Sequence, residues 1–166
     1  MSQYFTLFQL EPQFDIDTDS LEQNYRTLAA RFHPDRFASA SAFEQKQAVM
    51  MSSTINEAYR TLKNPTDRAA YLLRQQGIDA DAPEHTSFAP EFLMQQMEWR
   101  ETLAEARAAG DTAALNALGS QVSAEQTALY GQLAAAFDAQ QYQTAAQLVR
   151  QGRFLNKMRQ EIENAV

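Results

Sequence analysis

Two side chains able to hold or move a proton, His33 and Asp35, stand on either side of Pro34 in the stretch Arg31-Phe32-His33-Pro34-Asp35-Arg36-Phe37. An imidazole beside a carboxylate is a fragment of a nucleophilic triad, in which the acid orients the base and the base activates a hydroxyl or thiol. No Ser nucleophile is identifiable from the pattern, and the chain has no Cys. The constellation is therefore incomplete, and it reads better as a recognition loop than as a catalytic centre. A turn in which Asp35 caps the next helix is the simpler alternative. With His33 and His85 as the only imidazoles, no transition-metal centre is expected either.

The flanking residues must position this loop. Leu21, Tyr25, Leu28 and Phe32 recur at spacings of four, three and four, which puts them on one stripe of a helix, with Gln23, Arg26, Thr27 and Ala30 opposite. Pro34 ends that helix and pushes His33 toward an extended backbone. Before it, Tyr4 to Leu10 can form a short helix, interrupted by Pro12, and Asp15, Asp17, Thr18 and Asp19 offer caps. After the loop, Ser39 and Ser41 are candidate caps for a helix to about Leu62. Its apolar positions, Phe43, Met51, Ile55, Ala58, Tyr59 and Leu62, are expected to pack on the Leu21 helix. Asn64-Pro65 then starts a further helix that buries Ala69, Leu72 and Leu73 and stops at Gly77.

Composition limits the function classes. The 166 residues are 45% apolar, enough for a core. Without Cys there is no disulfide framework and no thiolate site. The start of the chain lacks a basic stretch followed by an apolar run, and no segment approaches membrane-spanning length, which reads as cytoplasmic with no membrane partner. A net charge of −7 opposes binding to nucleic acid. That charge is uneven: residues 1 to 77 carry eight basic and nine acidic side chains, whereas residues 78 to 166 carry six and twelve. The two halves are expected to meet different partners.

Two helices flanking His33-Pro34-Asp35, followed by Ile55-Asn56-Glu57-Ala58-Tyr59 and Arg68-Ala69-Ala70-Tyr71, resemble a J domain over roughly residues 2 to 76. The resemblance implies that the loop and the exposed face of the preceding helix bind a chaperone ATPase of the seventy-kilodalton heat-shock class and stimulate its hydrolysis of ATP. It assigns that contact to His33, Pro34 and Asp35, supported by Arg26, Arg31 and Arg36. General J proteins carry more basic residues on that helix.

Residues 78 to 90 contain two prolines and no clear periodicity, and read as a linker. Beyond them lie three helical patterns. The first, from Pro90 to Ala109, has a stripe of Phe92, Trp99, Leu103 and Ala106 and stops at Gly110-Asp111. The second spaces Leu115, Leu118, Val122, Leu129, Leu133 and Phe137 at near-heptad intervals. The third, from about Gln141, uses Ala145, Leu148, Leu155, Met158 and Ile162. The expected fold is all-α: a J domain over 1–77, a linker over 78–90 and an antiparallel three-helix bundle over 91–166. Several apolar residues exceed what that core uses. Leu93 and Met97 fall on the flank of the first bundle helix and Met94 opposite its stripe, among Glu98, Glu101 and Glu105, while Phe154 misses the stripe of the third helix. They read either as contacts to the rest of the chain or as a binding patch, for which flexible Met side chains are suited.

The run Phe92-Leu93-Met94-Gln95-Gln96-Met97-Glu98-Trp99-Arg100-Glu101 and the later Arg153-Phe154-Leu155-Asn156-Lys157, behind an N-terminal J domain, are similar to the HscB family of iron–sulfur cluster co-chaperones. That resemblance covers essentially the whole chain. It implies an L-shaped protein without enzymatic activity or cofactor of its own, whose J domain engages the HscA-type ATPase and whose bundle binds the IscU-type scaffold. It maps the scaffold surface onto Leu93, Met94, Met97, Glu98, Arg100, Glu101, Glu105 and Phe154, with Met97 where relatives often carry leucine. A general J-domain holdase that captures unfolded segments on its Met-rich strip is the alternative, and an enzyme using His33 and Asp35 is a more distant one.

Overall fold

The structure is a computed structural model that describes residues 3–82 and 88–166. All their regular structure is helical: α1 (Gln3–Leu7), α2 (Thr18–Arg31), a 3-10 turn (Pro34–Phe37), α3 (Ala42–Lys63), α4 (Pro65–Gln75), α5 (Pro90–Ala109), α6 (Thr112–Asp138) and α7 (Tyr142–Ala165). The chain divides into two compact units, Met1–Gly77 and Ile78–Val166. His85 and the middle of the stretch read as a linker, residues 83–87, lie outside the described residues.

In the first unit, side-chain caps set where the helices begin. Asp17 Oδ1 accepts hydrogen bonds from the amides of Ser20 and Asp19 and caps α2. The backbone and hydroxyl of Ser20 hold the Asp17 carboxyl below its usual value, by hydrogen bonding to the ionised form. Ser41, rather than Ser39, caps α3 by accepting from the Glu44 amide. Asn64 caps α4, with Pro65 at its first position. Gly77, just past α4, takes a φ of +77°, a conformation in which a Cβ would be strained.

These helices bury Phe5, Phe8, Leu21, Ile55, Leu62 and Leu73 completely or nearly so. The Tyr25 and Tyr59 rings stack at 3.9 Å and join α2 to α3, and the Tyr25 hydroxyl donates to Asn56 Oδ1 at 2.9 Å. One cation belongs to this core. Arg68 is only 6% exposed, but it donates to the carbonyls of Phe14 and Leu62, each at 2.7 Å, and its guanidinium lies 4.9 Å from the Phe14 ring centre. Its charge is thus matched by acceptors, without which burial would be costly.

The expected packing stripe of α3 holds only in its second half. Ile55, Ala58 and Leu62 are buried, whereas Phe43 is 69% exposed and Met51 37%. Ser52 Oγ donates to the carbonyl of Phe32, the residue that ends α2. The turns of α3 before Ser52 therefore run past the end of its partner. Phe43 also lies about 120° around the helix from Ile55, but Met51 lies only about 40° from it, so periodicity alone does not show where α3 leaves the core.

In the second unit, α6 packs against both α5 and α7. The connections are short, with Gly110 in the left-handed region at φ +62° and Asp111 capping α6, so successive helices run antiparallel. Trp99, Leu103, Leu115, Leu118, Val122, Leu129, Leu133, Leu148, Leu155, Met158 and Ile162 form the core. Phe92 and Phe137, expected among them, are half-buried. A polar bridge crosses it, with Gln126 Nε2 donating to Asn156 Oδ1 at 2.7 Å. Asp81, ahead of α5, is held by both arms of the Arg153 guanidinium at 3.0 Å.

Candidate functional site

The seven-residue stretch at the end of α2 folds as its chemistry requires. Pro34 stops the helix, His33 is extended at φ −59° and ψ 132°, and Pro34 to Phe37 then turn into a single 3-10 segment. His33 caps that segment: its Nδ1 accepts the Asp35 amide hydrogen bond at 3.2 Å. In the neutral ring this places the proton on Nε2. Asp35 Oδ2 lies 3.6 Å from the same nitrogen. The Asp35 side chain is 92% exposed and that of His33 58%, so this is no buried proton relay. Asp35 does not cap α3, since Ser41 does. The result is a stiff, outward-facing loop offering one imidazole and one carboxylate.

Three basic side chains lie on it or on the helix that leads into it. Arg31 lies 5.4 Å over the Phe32 ring, and Arg36 is exposed on the 3-10 turn. Arg26, on the exposed face of α2, pairs with Glu22 at 2.7 Å. An exposed pair at i,i+4 is weak, so Arg26 can exchange Glu22 for another anion at little cost.

In the second unit, the eight residues expected to form one surface fall into two sets. Leu93, Met94 and Met97 on α5 are 43%, 63% and 72% exposed, and Glu98, Glu101 and Glu105 are exposed beside them. They occupy an arc of about 140° on the side of α5 opposite Trp99, Leu103 and Ala106. Phe154 and Arg100 behave differently. Phe154 is half-buried, with its ring edge-on to Phe92 at 5.6 Å and parallel to Trp99 at 6.4 Å. Arg100 lies 5.4 Å over the Phe154 ring and forms an ion pair with Glu161. These two side chains therefore knit α5 to α7 and border the exposed arc. Glu161 escaped the sequence reading, although it lies seven residues, about two turns, beyond Phe154 on the same side of α7. Among the described residues, no cluster of His, Asp or Glu is arranged to hold a metal ion.

Comparison with known proteins gives these surfaces a context. A family model described as the DnaJ domain matches residues 3–71, and one described as the HSCB C-terminal oligomerisation domain matches residues 88–163. The chain is 72% identical over 166 residues, the whole of both sequences, to the "Co-chaperone protein HscB homolog" of Neisseria meningitidis serogroup C. The chain belongs to the HscB co-chaperone family. Among other HscB relatives, that of Bordetella avium is 46% identical, over 96% of this chain and 94% of its own. Two solved HscB structures share the fold. "Chaperone HscB from Vibrio cholerae" matches with a TM-score of 0.83 and 41% identity over 97% of this chain and 95% of its own. The human co-chaperone protein HscB matches with a TM-score of 0.88 and 31% identity over 97% and 80%. In this HscB-family chain the His33 loop lies in the segment matched as a J domain, and the exposed arc of α5 in the segment matched by the HscB-specific model. Membership makes the chain a J-domain co-chaperone with a role in iron–sulfur cluster assembly.

Proposed function

We propose that the chain couples two proteins: its J domain binds an HscA-type chaperone ATPase and speeds ATP hydrolysis, while its bundle holds an IscU-type scaffold and delivers it to that ATPase. The observation that carries this reading is the pairing, in one chain, of a rigid exposed His33-Pro34-Asp35 loop with a second unit whose exposed arc is apolar in its first turns and acidic in those that follow. In this reading His33, Pro34 and Asp35 make the ATPase contact, with Arg26, Arg31 and Arg36 supplying positive charge around it. Leu93, Met94 and Met97 supply the apolar contacts to the scaffold, Glu98, Glu101 and Glu105 the charged rim, and Phe154 and Arg100 the border that fixes the arc. The chain hydrolyses nothing itself, and we place its action in the cytoplasm. No helix among the described residues is long and apolar enough to cross a membrane.

Steady-state ATP hydrolysis by a purified HscA-type ATPase tests the proposal. The chain alone should stimulate hydrolysis, and adding folded IscU-type scaffold should enhance it further through the bundle. An unfolded polypeptide producing the same enhancement would favour the general holdase instead.

A further inference from the structure

Four of the large apolar side chains left in solvent, Phe43, Val49, Met50 and Met51, belong to one nine-residue stretch of α3, at 69%, 55%, 61% and 37% exposure. Scattered exposed apolar residues are normal, but clustered ones mark contact surfaces. Three of these four line one groove of about 670 Å³, together with Phe32, Phe37 and the buried Ala48. Along α3, Phe43, Gln47, Met50, Met51 and Thr54 follow spacings of four, three, one and three. They form a stripe turned about 80° from the one that packs into the core. This groove exists because α3 runs past the end of α2, as the bond from Ser52 to Phe32 marks.

Its position identifies what it meets. Phe32 and Phe37, two of its walls, are the residues immediately flanking the segment His33 to Arg36. The groove thus adjoins the loop through the two residues at its ends, and a protein seated on His33 and Asp35 is next to it. Half of the residues lining it are aromatic or thioether groups, and Glu44 and Lys46 line it as well. Such walls match aliphatic or aromatic side chains, and methionines adapt to their shape. We propose that this groove is a second contact for the ATPase partner: it receives an apolar segment of the same chaperone that binds the loop, and so sets affinity for that chaperone while His33 and Asp35 trigger hydrolysis. The inference rests on the reading of the loop as the ATPase contact.

The experiment titrates the full chain against a purified HscA-type ATPase, reading both the concentration for half-maximal stimulation and the stimulation at saturation. Three variants are compared: Phe43→Ser with Met50→Gln, Phe43→Leu with Met50→Leu, and His33→Gln. Both groove positions are mostly in solvent, so circular dichroism and thermal melting should match the parent chain. The polar pair should raise the half-maximal concentration about tenfold, the usual consequence of losing about 1.4 kcal/mol, with the plateau unchanged. The leucine pair, which keeps apolar groups at both places, should stay near the parent. His33→Gln should instead lose the plateau. An unchanged half-maximal concentration in the polar pair, while the parent stimulates and His33→Gln does not, overturns the groove alone. Loss of scaffold affinity or of self-association in the polar pair, with the ATPase titration unmoved, also overturns it and identifies a different occupant. Stimulation that survives His33→Gln overturns the reading of the loop, and the groove's assignment with it.

Discussion

The His33 loop and the exposed arc of α5 present their residues by different physical means. In the first unit, Pro34 breaks a helix, the His33 ring accepts the Asp35 amide, and backbone geometry fixes where two polar groups point. In the second, α5 continues unbroken, and the surface is whatever its outward arc carries: Leu93, Met94, Met97 and three glutamates. A site fixed by backbone geometry should fail as a unit when one member changes, because the remaining group keeps its place but loses the combination. A surface made of side chains on a stable helix should fail by degrees, each truncation removing its own contact area.

The largest expected effect tests the first half of that contrast. His33→Gln should abolish stimulation of an HscA-type ATPase while leaving scaffold affinity and the circular dichroism spectrum unchanged, since the His33 ring is exposed and supports no core residue. Graded, partial stimulation by this variant would show that the loop acts as another additive surface.

A smaller and divided effect is expected in the bundle. Alanine at Leu93, Met94 and Met97 together should weaken binding of an IscU-type scaffold by roughly 2 kcal/mol or more, since apolar anchors near an interface centre carry energies of that order. Stability should change by less than about 0.5 kcal/mol, as for other exposed positions. Phe154→Ala should differ, because its ring is packed between Phe92, Trp99 and Arg100. It should cost stability by about 2–3 kcal/mol, somewhat below the range for a fully buried ring. Chemical denaturation beside calorimetric titration separates the two. Equal destabilisation by both variants would mean that the arc is part of the packed bundle and not a free surface.

How much of this was legible in the sequence follows from the same division. Helix starts were readable at Asp17, Ser41 and Asn64 because capping is local chemistry, and the extended His33 because Pro34 acts on its immediate neighbour. The inner faces of α5, α6 and α7 were readable because long helices repeat their signal. Three features were not. Phe43 and Met51 were assigned to the core because their type is apolar, but where α3 outruns α2 is a matter of helix lengths in space. Phe154 lies off the stripe of α7, which left a contact within the chain and a binding patch both open, because what covers such a position depends on a neighbouring helix. Here α5 supplies Phe92, Trp99 and Arg100 to cover it. Buried Arg68 likewise depends on a carbonyl fifty-four residues away, which no local pattern shows.

The smallest effect should come from the acidic edge of the arc. Glu98, Glu101 and Glu105 are exposed and succeed one another at spacings of three and four, so they form one negative stripe beside the methionines. Charges in that position attract a positively charged partner before contact but lose little water when it arrives. They should therefore act on the association rate more than on the lifetime of the complex. Changing all three to Lys should slow association of the scaffold several-fold at low salt and leave dissociation nearly unchanged. The difference from the parent chain should shrink as ionic strength approaches 0.15 M and above, where the screening length falls to about 8 Å or less. Stopped-flow association over a series of salt concentrations reads this directly. A variant whose dissociation rate rises instead, with no dependence on salt, would place the carboxylates in the desolvated centre of the interface, and the apolar arc would no longer be its core.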